Sequence, residues 1–136
     1  MAEEVLGMTT FKYRSPEESP TGKAIARLVR GERVVASVQV LRQGGENNLH
    51  SHSGSDGLWF VLSGSVNWYG DGDEFVAKLD KHDGILVPRG TPYWFEQTGD
   101  EALELLHIVS KDLTVEDKRN DIQERVKALA PELPVS

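Results

Sequence analysis

Between Gly44 and Gly64 the chain reads GGENNLHSHSGSDGLWFVLSG. Side chains at i and i+2 of a strand share a face, so His50-Ser51-His52 aims two imidazoles at one point if the segment is extended. Leu58 to Leu62 (LWFVL) is a run of strand formers, set off by Gly and Ser on both sides. The same alternation of short β-rich runs and turns continues outward. Arg33 to Arg42 reads RVVASVQVLR. Val66 to Tyr69 is followed by Gly70-Asp71-Gly72-Asp73, a turn signal, and the strand pattern resumes over Phe75 to Leu79, which predicts a hairpin. Ile85 to Val87, Pro92 to Phe95 and Leu103 to Val109 complete the set. The 13 glycines and 6 prolines are spread along the chain, so the reading is all-β: a sandwich, jelly roll or barrel.

The flanks differ from this middle. Residues 1–24 are polar and read as an N-terminal arm, with Ser15-Pro16 and Ser19-Pro20 as turns and Phe11–Tyr13 as a short edge strand. Residues 25–113 form the β-domain. In 114–136 the period changes: Val115, Ile122, Val126 and Leu129 fall at helical spacing. Thr114 is placed to cap and Pro131 to stop an amphipathic helix over 115–130.

At 136 residues the chain fits one domain. Fifteen Lys+Arg against 22 Asp+Glu give a net charge of −7. With no basic block, binding to nucleic acid or to an anionic membrane is not expected. No apolar run is long enough to span a bilayer as a helix. The opening Met1-Ala2-Glu3-Glu4 lacks the basic and apolar regions of a secretory signal. With no cysteine there are no disulfides or thiolate ligands, and a cytoplasmic location is expected.

Neutral imidazoles suit Fe, Mn, Ni or Zn when oxygen ligands stand beside them. Gly44 lies six residues before His50, Asp56 follows His52, and Gly64 closes the segment. Further on stands Asp83-Gly84-Ile85-Leu86-Val87-Pro88-Arg89-Gly90-Thr91-Pro92-Tyr93. Over residues 34–110 this arrangement resembles the cupin superfamily. One motif there runs Gly, five residues, His-x-His, three or four residues, Glu, six residues, Gly. The other runs Gly, five residues, Pro-x-Gly, two residues, His, three residues, Asn. Gly44, His50, His52, Gly64, Pro88 and Gly90 stand as that pattern asks. Counted back from Gly64, the glutamate ligand's place falls on Gly57; counted forward from His52, it falls on Asp56. The third histidine's place holds Tyr93, the asparagine's holds Gln97, and the second motif's opening glycine is His82.

The resemblance implies a jelly-roll β-barrel with a divalent metal (Fe, Mn, Ni or Zn) held by His50, His52, Asp56 and Tyr93. Asp56 is either a shorter carboxylate ligand or a loop residue capping its own turn. Tyr93 is either a ligand or an aromatic filling the barrel. Trp59 and Val61 share parity with position 57 and face the site. Gln39 and Phe95 complete the candidate substrate-binding set, although the face of Gln39 is ambiguous. His107 shares an apolar face with Leu103, Leu105 and Val109; it is either a satisfied core histidine or, with Tyr93, a proton-transfer residue. His82 reads as exposed.

Two functions follow. One is a metal-dependent enzyme of dioxygenase, lyase, decarboxylase or isomerase type, acting on a small organic molecule. The other is a non-catalytic binding or sensor barrel for a sugar or carboxylate. A homodimer with exchanged terminal arms fits either.

Overall fold

The computed structural model describes residues 2–16, 22–42 and 47–123. It is built of strands, with one 3-10 turn at Asp71–Asp73 and no α-helix among the described residues. None of the helices there is therefore long and apolar enough to cross a membrane.

The main sheet has five antiparallel strands in the order β3 (Gly22–Arg30), β4 (Val34–Arg42), β11 (Leu103–Lys111), β6 (Ser55–Ser63) and β9 (Gly84–Val87). Facing it is a three-stranded sheet, β10 (Trp94–Thr98), β7 (Ser65–Tyr69) and β8 (Phe75–Leu79). β7 and β8 form the hairpin that the Gly70–Asp73 turn signal predicts. A short pair, β5 (Leu49–His52) with β12 (Arg119–Gln123), closes one end, and an isolated bridge joins His50 to Tyr93. Together these make the jelly roll expected from the sequence.

Strand alternation gives the main sheet two apolar faces. Inward, Leu41, Trp59, Val61, Leu103 and Leu105 meet Val66, Trp68, Tyr93 and Phe95 of the facing elements. Outward, Leu28, Ala36, Val38 and Val40 form a second cluster with Tyr13 packed against it. The Tyr13 hydroxyl donates to Glu104 Oε1 at 2.6 Å, and burial with that bond pushes its pKa up to about 12. Gly64 turns the chain between β6 and β7 at φ +81°, where a Cβ would lie 2.6 Å from the Ala102 carbonyl oxygen, so no larger residue fits.

Three expectations need correction. The helix over 115–130 is not present over its described part. Arg119–Gln123 is a strand paired with β5, and residues 124–130, with Pro131, lie outside the described residues. Val115 and Ile122, the first members of the supposed apolar stripe, are exposed, and Asn120 and Asp121 are poor helix formers. The unpaired backbone edge of β5 offers these residues a ladder instead. Thr114 does not cap a helix; its N–H and hydroxyl both donate to Asp112 Oδ1. Phe11–Tyr13 is not a strand. The arm instead forms a hairpin of β1 (Glu3–Val5) and β2 (Met8–Thr10) across a Leu6-Gly7 turn, and β3 begins at Gly22, three residues before the expected boundary.

Candidate functional site

β5 presents His50 and His52 on one side, as the i, i+2 spacing requires. Their rings lie 5.0 Å apart between centroids, and the Tyr93 ring is 4.5 Å from His50 and 6.4 Å from His52. Paired backbone bonds hold this group together: His50 N–H donates to the Tyr93 carbonyl at 3.1 Å and Tyr93 N–H to the His50 carbonyl at 2.9 Å. From the main sheet comes His107, whose ring stacks on Trp59 at 3.6 Å, nearly parallel. Trp59 also meets Trp68 and Phe95 at 5.4 and 5.2 Å, so an aromatic stack backs the histidine.

Above this floor lies a cavity of about 240 Å³. His52, Tyr93, His107, Ser37 and Ser55 line its polar part, Val35, Val87 and Val109 its apolar part, and Arg27, Arg30, Lys111 and Asp117 its charged part. The imidazoles are neutral near pH 7. Burial is the largest cause in each case; it lowers His50 and His107 to about 3 and lowers His52 as well. Burial raises the Tyr93 hydroxyl above the ordinary phenol range, so it stays protonated.

The sequence-derived site residues separate in space. His50, His52, Tyr93 and His107 come together. Trp59, Val61, Gln39 and Phe95 all face inward and are fully buried, which settles the face of Gln39; they pack beneath the cavity rather than line it. Asp56 is exposed, on the opposite face of β6 from Gly57 and Trp59, and accepts the Arg89 N–H at 2.9 Å. The residue at the inward position is Gly57. His82 is exposed, as read.

This donor set bears on the expected metal. His50 Nδ1 lies 2.6 Å from the Asn48 carbonyl oxygen, so the proton sits on Nδ1 and the buried Nε2, which has no hydrogen-bond partner among the described residues, presents a lone pair. A metal-ligating histidine is arranged in this way. The partners of such a ligand are lacking. Asp56 faces away, Tyr93 holds its proton, and the Asp117 oxygens accept from Gly54 N–H and the Ser55 hydroxyl, each at 2.9 Å. Among the described residues no three of His, Asp and Glu are grouped to hold an ion. The residues present do not complete a divalent-metal site.

Sequence reasoning missed Arg27, Arg30, Lys111 and Asp117. Lys111 continues the inward parity of His107 and Val109, and extending that strand by two residues finds it. Arg27 and Arg30 are three apart, which places them on opposite faces of a regular strand. A bulge within Arg27–Val29 breaks that rule: Arg27 pairs with Ser37 and Arg30 with Val35, so both lie on the cavity side. Asp117 belongs to an irregular segment and has no sequence signal.

The sequence profile of the cupin domain matches residues 37–109. The fold is similar to the cupin domain of Schizosaccharomyces pombe Cnp3, with a TM-score of 0.62 at 22% identity, over 68% of this chain and 66% of that one. The chain thus spans just under two thirds of that relative. An uncharacterized conserved protein with a double-stranded β-helix domain from Klebsiella pneumoniae gives 0.66 at 15% identity, over 82% and 86% of the two chains. A salicylate 1,2-dioxygenase variant from Pseudoaminobacter salicylatoxidans, in complex with gentisate, gives 0.56 at 22% identity over 65% of this chain and 25% of that one. At these identities the likeness is one of fold. No curated protein matches the sequence.

Proposed function

The chain belongs to the cupin family, and from that premise we propose that it binds a small organic molecule inside the barrel, as a binding or sensor module with a degenerate metal site. The observation that carries this reading is the cavity of about 240 Å³ over His52, Tyr93 and His107. It is somewhat below the roughly 300–1,000 Å³ of pockets for drug-sized ligands, so the ligand is small. Its neutral imidazoles and phenol offer hydrogen bonds without charge, and its valines offer apolar contact.

The test is a thermal-shift and intrinsic-fluorescence screen of the full chain against a library of small acids, amines and neutral molecules. Trp59, stacked under His107, is the reporter. At least one compound is expected to stabilise the wild type and quench or shift its fluorescence, while Val109→Phe, which narrows the cavity, abolishes both effects. The reading is overturned if no compound acts and no small molecule is released from denatured, freshly purified protein.

A metal-dependent enzyme is the second reading, favoured by the partnerless Nε2 of His50. Near-stoichiometric metal in the wild type, lost in a His50→Ala/His52→Ala variant, would promote it over the first. We also propose a homodimer. Val5, Leu6 and Met8 of the N-terminal hairpin are exposed apolar residues that a second copy would cover. Sedimentation at a monomer's mass would refute this.

A further inference from the structure

Two features of the cavity point to the kind of ligand it takes, given that it takes one. The first is a notch at Gly57. Gly57 and His107 both line the cavity, and a Cβ built at Gly57 would crowd His107 Nε2 at 3.2 Å, so the bare glycine leaves that nitrogen open to a ligand. An imidazole nitrogen facing a cavity takes a hydrogen-bonding partner from whatever fills it, so the notch calls for a polar atom.

The second feature is the charge at the mouth. Arg27, Arg30 and Lys111 reach the cavity from β3 and β11, and no salt bridge engages any of them among the described residues. Asp117 also lines the cavity, but its oxygens are held by Gly54 and Ser55. A chain of net charge −7 thus gathers at one opening three cations with no ion-pair partner among the described residues. The bulge in β3 is what turns both arginines to the same side.

We propose that the cavity takes a small hydroxycarboxylate, its carboxylate against Arg27, Arg30 and Lys111 and its hydroxyl in the Gly57 notch. A hydroxyl serves His107 Nε2 in either tautomer, donating to a bare nitrogen or accepting from a protonated one. A carbonyl oxygen serves only one tautomer, and an apolar group serves neither. Guanidinium groups match a carboxylate in charge and in planar geometry.

The test is calorimetric titration of the full chain with glycolate, lactate, mandelate and salicylate, beside the corresponding amides and the acids lacking the hydroxyl. At least one hydroxy acid is expected to bind. Its amide should bind at least about tenfold more weakly, as should its deoxy analogue, a loss in the range of one hydrogen bond to a charged group. Arg27→Gln/Arg30→Gln should weaken the acid by a similar factor and the amide by clearly less. Gly57→Ala should erase the preference for the hydroxyl, and circular dichroism checks that each variant is folded. Equal binding of acid and amide, or full affinity in the arginine variant, overturns the proposal. If no hydroxy acid binds, the assignment fails. The broader library then decides the parent reading: a neutral or cationic hit preserves a binding cavity of another class, and no hit removes both.

Discussion

His107 and His50 are neutral because the barrel excludes water from them, and that fixes the direction in which the fold responds to acid. In the unfolded chain an imidazole takes up its proton as the pH falls through 6.5; in the fold both resist until about 3. The unfolded state therefore binds more protons over this window, and stability falls as pH drops below 6.5. Each such histidine contributes about 1.4 kcal/mol per pH unit. Replacing His107 with Gln removes one share, so the difference in unfolding free energy between pH 7 and pH 5 should shrink by about 2 kcal/mol, measured by urea denaturation. An unchanged pH dependence in His107→Gln would mean that its burial is not the source.

At the scale of elements, β5 carries both histidines yet is only four residues long, and the ladder with β12 supports it. Net stabilisation of roughly 1 kcal/mol per hydrogen bond suggests that a chain ending at Lys118 loses about 2–4 kcal/mol while keeping the barrel. Urea denaturation gives the loss, and faster hydrogen exchange at residues 50–52 gives its place; unaltered exchange there would refute the role assigned to β12. This pairing also marks the limit of what the sequence discloses. The period of two in RVVASVQVLR and LELLHIV is imposed by burial of one face, so the strands, their inward residues and the His50/His52 pair were legible. The C-terminal segment was not, because four apolar residues at helical spacing say nothing about a free strand edge elsewhere in the chain. Nor was the bulge in β3, since an extra residue leaves no compositional trace and reverses the parity by which Arg27 and Arg30 would be assigned. Asp56 shows a related limit: motif counting left positions 56 and 57 open, and only the register of β6 against β9, with Gly57 opposite Val87, shows that the glycine faces inward.

The whole molecule is an acidic body with a cationic mouth, and the two act against each other on an incoming anion. The net charge of −7 repels a carboxylate at long range, while Arg27, Arg30 and Lys111 attract it once it reaches the opening. Both effects are screened by salt, with a Debye length of about 10 Å at 0.1 M, but on different scales. Repulsion from charges dispersed over the surface acts across more than that length and is already weak at moderate salt. Attraction at the mouth acts over a few ångströms between partly exposed groups, and is reduced mainly as salt rises further. Affinity for a carboxylate should therefore change little or rise slightly as ionic strength goes from about 0.01 to 0.1 M, then fall by several-fold toward about 1 M. The matching amide should show neither trend. Calorimetric titration across that range checks it. A carboxylate affinity that falls steeply from the lowest salt would mean that the body's charge is not felt at the mouth, and an affinity indifferent to salt throughout would mean that the three cations do not reach the ligand.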